Sequence, residues 1–160
     1  MFTIREITKD DNLHLSNVIR EVLIEIGVPK KGTAYSDPEL DFMFEAYNKE
    51  RSNYYVVESN GKIYGGAGIS HLNEANHDIC ELQKMYFLPS IRGKGLGDQM
   101  IEKCLSFALD NKFEYCYIET LPYMKAAQKL YIKKGFSYID GPIGNTGHTS
   151  CNVWLIKNLK

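Results

Sequence analysis

Hydrophobic positions change their period several times along this chain, and each change predicts an element. Phe2 to Ile7 alternates apolar and polar residues, the period of a half-buried strand. Leu15, Val18, Ile19, Val22, Leu23 and Ile26 then recur at helical spacing, with Asp10 or Asp11 placed to cap the helix and Gly27 and Pro29 placed to stop it. Ser36-Asp-Pro-Glu39 has the form of a capping box with an early proline, which predicts a second helix running to about Lys49. Tyr54 to Ser59 and Lys62 to His71 are β-rich runs joined by Asn60-Gly61, the dipeptide that best tolerates the positive φ angles of a tight hairpin.

The second half of the chain repeats this alternation of strand and helix. His77 to Leu88 predicts a long strand ending at Pro89, and after a glycine-rich turn a helix to about Asn111 carries Leu96, Met100, Ile101, Cys104, Leu105 and Ala108 on one side. Glu114 to Thr120 reads as a strand, Lys125 to Lys134 as a helix ended by Gly135, and Phe136 to Tyr138 and Ser150 to Asn158 as two more strands. Gly141 to His148 is a connecting loop long enough to line a pocket. Together these elements predict a mixed α/β (α+β) fold, with residues 1–160 forming a single domain.

Composition narrows the function classes. A chain of 160 residues with 44% hydrophobic and 24% charged content can bury a sizeable core. A formal net charge of -1 offers no basic surface for nucleic acid, so any anion site must be local. Cys80, Cys104, Cys116 and Cys151 form no CxxC pair and read as reduced thiols, three of them within apolar stretches. No run approaches the roughly 18 apolar residues of a membrane span, and the N-terminus lacks a signal-like segment. A cytoplasmic protein without membrane partners is expected. No His, Cys, Asp and Glu cluster has metal-ligand spacing, and Lys30-Lys31 reads as a solvated pair.

The segment that carries chemistry is Arg92-Gly93-Lys94-Gly95-Leu96-Gly97. Arg-x-x-Gly-x-Gly arises by chance in roughly one chain of this length in thirty, so its place between a strand and a helix gives it weight. Unpaired N–H groups at a helix start, the helix dipole and glycines that admit close approach suit a pyrophosphate. Spacing separates the alternatives. A P-loop needs Lys-Ser or Lys-Thr at its end, where Asp98 stands; a dinucleotide fingerprint needs its third glycine at that same position, although Glu119, near the end of the next strand, matches its ribose-binding acid and keeps that reading open.

The stretch Glu81-Leu-Gln-Lys-Met-Tyr-Phe-Leu-Pro-Ser-Ile-Arg-Gly-Lys-Gly-Leu-Gly97 resembles the GNAT superfamily of N-acetyltransferases. Ala127-Gln-Lys-Leu-Tyr-Ile-Lys-Lys-Gly-Phe136 is similar to that superfamily's Ala-x-x-Leu-Tyr-x-x-x-Gly-Phe signature. The resemblance implies a mostly antiparallel sheet of about seven strands flanked by about four helices, with the fourth and fifth strands splayed. It also implies acetyl-coenzyme A as cosubstrate. The pantetheine arm would lie along Met85, Tyr86 and Phe87, and the pyrophosphate on the N–H groups of Arg92, Gly93, Lys94, Gly95, Leu96 and Gly97. Many members hold an asparagine seven residues before the second motif's tyrosine, where this chain has Met124.

Acetyl transfer needs a neutral amine. A lysine-like amine of pKa near 10.4 is neutral in about one molecule in 2,500 at pH 7, a deficit of about 4.6 kcal/mol. Glu81 stands where some members of the superfamily hold a general base, either direct or through water, and Asp78 and Glu119 are weaker substitutes. Tyr131 matches the tyrosine that assists departure of the thiol. A backbone N–H near Met85 or Tyr86 would stabilise the oxyanion. His148 could reach an acceptor pocket, and Tyr35, Tyr47, Tyr54, Tyr86 and Tyr123 could line it. The expected partner is a small-molecule or peptide amine, chosen by Asp11 to Lys49 and Gly141 to Ser150; a homodimer is compatible with the sequence. The competing reading is a non-catalytic module that binds acyl-coenzyme A.

Overall fold

A computed structural model describes residues Met1–Lys160. Its elements are β1 (Thr3–Glu6), α1 (Asn12–Glu25), α2 (Met43–Tyr47), β2 (Asn53–Ser59), β3 (Lys62–His71), β4 (Ile79–Phe87), α3 (Leu96–Asp110), β5 (Tyr115–Thr120), α4 (Lys125–Lys133), β6 (Ser137–Ile139) and β7 (Val153–Asn158). The seven strands form one sheet in the order β1-β2-β3-β4-β5-β7-β6. Every pairing is antiparallel except β4 with β5. The mixed α/β fold with a mostly antiparallel sheet and four helices is therefore present, and no helix is long and apolar enough to cross a membrane.

The strand period divides the core in two. Tyr55 and Val57 of β2 face one side, where they meet Met100, Ile101, Cys104 and Ala108 of α3. Tyr54 and Val56 face the other, against Leu15, Ile19 and Leu23 of α1 and Met43 and Tyr47 of α2. The residues read as the apolar stripe of α3 are all buried. Asn60 and Gly61 have φ of 51° and 78°, as the tight hairpin requires.

Two expectations are corrected. The helix expected from Ser36 to about Lys49 is instead two 3-10 turns, Ala34–Ser36 and Pro38–Asp41, followed by the short α2. Its capping residues are used elsewhere: the Ser36 hydroxyl donates to the Thr33 carbonyl, and Glu39 reaches Lys84 on β4 at 3.1 Å. Asp11 is the residue before α1 but does not cap it with its side chain. Its carboxylate instead accepts the Thr8 N–H at 2.7 Å and pairs with Arg5 at 2.8 Å.

Candidate active site

The site begins where two neighbouring strands part. β4 and β5 pair only at Ile79 with Tyr115, Cys80 with Cys116, and Glu81 with Tyr117. Beyond Glu81 the strands diverge, while β4 keeps β3 as its neighbour on the other side. The β3–β4 register slips between Gly66 and Gly68, and opposite the slip Lys84 takes a φ of 50°. This is a bulge with one extra residue, so Leu82 and Met85 pack against the same core although they are three positions apart. The buried Tyr54 hydroxyl donates to the Lys84 carbonyl at 2.8 Å and fixes the kink.

After the bulge, the Leu88 N–H turns to the Tyr64 carbonyl of β3 at 2.8 Å. Strand alternation therefore aims the backbone groups of Met85 and Phe87 into the gap left by β5. The gap opens into a cleft of about 630 Å³, lined by Met85, Tyr86, Phe87, the glycine turn and the first turns of α4. Gly93 and Gly95 have φ of 75° and 80°, conformations that L side chains rarely adopt. Gly97 serves a different need, since a Cβ there would lie 2.9 Å from Leu130 Cδ2 of α4. No backbone carbonyl accepts from the N–H groups of Gly93 through Asp98, the first such bond in this stretch being Gln99 N–H to Gly95 O at 3.2 Å. A run of free N–H donors at a helix N-terminus is the physical requirement for an anion.

Arg92 is placed differently from its neighbours. Its N–H donates to the Pro89 carbonyl at 3.2 Å, its Nε to the Phe87 carbonyl at 3.0 Å, and its guanidinium pairs with Glu25 of α1 at 2.7 Å. It thus braces the turn against β4 and α1, while Lys94 stays exposed.

A second, smaller cavity of about 50 Å³ adjoins the cleft and shares Met85, Tyr86 and Met124 with it. Glu81, Lys84, Glu119, Tyr131, His148 and Cys151 also line it. Burial pushes the Glu81 pKa up from 4.5 to about 7, and a hydrogen bond from the Gln83 amide opposes the rise. Gln83 holds Glu81 Oε1 at 2.6 Å while its own Oε1 accepts from the Tyr47 hydroxyl at 2.5 Å. The Tyr54 and Tyr47 rings lie across β3 where Gly66 and Gly68 have no side chain; a Cβ at Gly66 would come within 2.5 Å of the Tyr54 ring, and one at Gly68 within 2.7 Å of Tyr54 and 2.8 Å of Tyr47. The glycines of β3 thus let Tyr54 reach the bulge and Tyr47 reach Gln83. Tyr131 is 6% exposed, and burial pushes its pKa up to about 12, so its hydroxyl keeps its proton at neutral pH.

Lys84 is the buried centre of a charge cluster, pairing with Asp37 at 3.0 Å and Glu39 at 3.1 Å. Burial disfavours its charge, but the two carboxylates outweigh that and its pKa rises. Asp37 also meets His148 Nε2 at 2.9 Å, which raises the imidazole pKa above 6.5 against the effect of burial. Asp37 therefore joins the loop before α2, the bulge of β4 and the loop before β7. Lys84→Met is expected to lower stability by about 2 kcal/mol, because the part-buried Asp37 carboxylate loses one of its two cationic partners; urea denaturation measures this. The activity inflection assigned to Glu81 should also move to higher pH, because Lys84 favours the carboxylate form.

The structure brings Glu81, Tyr131, His148 and Tyr86 to one cavity. Asp78 lies apart at the other end of β4, where its carbonyl accepts from Glu114 and Tyr115. Tyr123 lines the larger cleft, and Tyr54 is fully buried beneath the bulge. Sequence reasoning missed Asp37, Gln83 and Lys84. Only the clash between strand alternation and a buried charge could have marked Lys84; for Asp37, 111 positions from His148, no local signal exists.

Comparison with known proteins agrees with this geometry. Residues 20–136 match the model of the Acetyltransferase (GNAT) family. The chain is 42% identical over 156 residues to "Uncharacterized N-acetyltransferase YjgM" of Escherichia coli K12, covering 97% of this chain and 93% of that one. An acetyltransferase of the GNAT family from Staphylococcus aureus Mu50 superposes with a TM-score of 0.87 at 20% identity over the whole of both chains. YncA of Salmonella typhimurium, described as a putative acetyltransferase with its cofactor acetyl-CoA, superposes with a TM-score of 0.80 at 17% identity, covering 100% of this chain and 95% of that one. With its splayed strand pair, glycine turn and two motifs in order, this chain belongs to the GNAT acetyltransferase family and is an N-acetyltransferase.

Proposed function

We propose that the protein moves an acetyl group from acetyl-coenzyme A to a primary amine by direct attack, with residues 1–160 acting as one domain. The observation that carries this reading is the junction of the two cavities at Met85, Tyr86 and Met124, with Glu81 and Tyr131 both lining the smaller one. Free N–H groups from Gly93 to Asp98 suit the pyrophosphate, and the backbone of Met85 and Phe87 suits the amide groups of a pantetheine arm. Acetyl-coenzyme A supplies the thioester whose acyl carbon the amine attacks.

Glu81 takes the proton that the amine must lose. With its pKa near 7, the gap to an alkylammonium narrows from about six units to roughly three. The Met85 N–H faces the gap and can stabilise the oxyanion as the carbonyl becomes tetrahedral. The carbon–sulfur bond then breaks, and Tyr131 donates a hydrogen bond to the departing thiolate. Met124, at the frequent asparagine position, accepts at sulfur from Thr120 Oγ1 at 3.4 Å and offers the donor cleft an apolar wall.

Tyr131→Phe should lower kcat about 10- to 100-fold, the worth of one hydrogen bond to a charged group. The Kd for acetyl-coenzyme A, measured by calorimetry, should stay within about twofold. An unchanged kcat would remove Tyr131 from the chemistry.

A further inference from the structure

We propose that Glu119 selects the acceptor, and that the acceptor is a short aliphatic diamine. One nitrogen faces Glu81 as the nucleophile, and the other remains an ammonium ion on Glu119. This inference rests on the acetyl-transfer reading above and adds the chemical class of its substrate.

Charge is the first support. The cations at the small cavity are already matched within the protein: Lys84 by Asp37 and Glu39, and His148 by Asp37. The carboxylates of Glu81 and Glu119 have only uncharged partners. Glu81 accepts from the Gln83 amide, and Glu119 from the Tyr117 hydroxyl at 2.6 Å and the Thr146 hydroxyl at 2.6 Å. Both carboxylates line the cavity, which therefore favours a cation. An acceptor carrying its own carboxylate would place that anion against Glu119 with no free cation to receive it.

Position and size are the second support. Glu81 sits opposite Tyr117, and Glu119 follows two residues later on the same face of β5, about 7 Å along the strand. That offset suits two nitrogens joined by a few methylenes. A cavity of about 50 Å³ holds roughly four water-sized groups, too few for a folded peptide segment. Val28, Ala34, Ile118 and Leu121 supply apolar wall for the methylenes. In the transfer step Glu81 removes one proton from the near ammonium, the neutral nitrogen bonds to the acyl carbon, the carbon–sulfur bond breaks, the nitrogen's second proton goes to the departing thiolate, and the distal ammonium is unchanged.

The test compares 1,3-diaminopropane with n-butylamine, of equal length but without the second charge, and with β-alanine, which carries the opposite one. Wild-type kcat/KM, followed by thiol release, should be about tenfold or more higher for the diamine than for butylamine, with β-alanine lowest. Glu119→Gln, which keeps the length and an acceptor for Tyr117 and Thr146, should erase the diamine advantage, bringing the kcat/KM values for diamine and butylamine within about twofold of each other. Calorimetric titration of 1,3-diaminopropane into each protein with coenzyme A gives a readout independent of chemistry, and acetyl-coenzyme A affinity reports that the variant is folded. Diamine turnover with no dependence on Glu119 overturns this inference and leaves the acetyl-transfer reading intact. Diamine binding that needs Glu119 but yields no thiol keeps the selection by charge and sinks the chemistry. No diamine binding overturns this inference, while thiol release with any other primary amine keeps the acetyl-transfer reading.

Discussion

Glu81→Gln is expected to lower kcat by about 10²- to 10⁴-fold, the usual range for loss of a general base. The amide keeps the size of the carboxyl but cannot take a proton, so acetyl-coenzyme A affinity should be retained. The wild-type rate should rise with pH through an inflection near 7 as Glu81 ionises, because burial holds its pKa there. The variant should lose that inflection and show only the ionisation of the amine. The stability effect has the opposite sense. A folded pKa raised from 4.5 to about 7 means that stability falls as pH rises across that window, since the folded protein resists the charge. Glu81→Gln should therefore melt higher than wild type at pH 8 and alike near pH 4. An unshifted pH–rate profile in the variant would show that another group governs the inflection.

Gly65→Ala is expected to lower stability by about 3 kcal/mol or more, combining overpacking with backbone strain. Thermal melting should fall by roughly 10 °C for a chain of this size. Gly65 has a φ of 149°, and a Cβ there would lie 2.2 Å from the Tyr86 carbonyl and 2.8 Å from Phe87 Cα. These are main-chain atoms of the strand that walls the donor cleft, so no rotamer change relieves the clash. β4 would have to move away from β3, and acetyl-coenzyme A affinity should fall with stability. Gly61→Ala is the control: its Cβ meets nothing within 4 Å, and only the turn's positive φ is strained. It should cost less and leave the cleft intact. Equal melting temperatures for Gly65→Ala and wild type would mean that the strands separate freely here.

These two variants address different kinds of positioning. Glu81 occupies its place through a chain of side chains, Tyr47 to Gln83 to Glu81, that crosses from α2 to β4. Gly65 holds the backbone of β4 at Tyr86 and Phe87, beyond the bulge. The bulge at Lys84 connects them, since it shifts the facing of every later residue of β4 and separates Glu81 from the donor-facing Met85 and Phe87.

Much of the site was legible as local pattern. The order of the strands and helices followed from periodicity, because burial on one face repeats at the period of the element itself. The α3 stripe, the Asn60-Gly61 hairpin and the glycine turn depend only on neighbouring residues, and all three appear at the expected positions. The helix expected from Ser36 failed because Asp37 and Glu39 satisfy their charges on Lys84 and His148, outside the segment where a capping argument can look. Arg92 likewise reads as an anion-binding charge until Glu25, 67 positions earlier, occupies its guanidinium.

By itself, the sequence determined the element order, the helix start with its free N–H groups and the two motifs of the acetyltransferase family, all of which are properties of short segments. Tertiary structure decided that β4 kinks at Lys84, that a lysine sits buried between two carboxylates, and that Glu81 and Glu119 share one small cavity. The physical reason is that burial and charge pairing are set by whatever the fold brings within a few ångströms, and residues far apart in sequence carry no local record of that proximity.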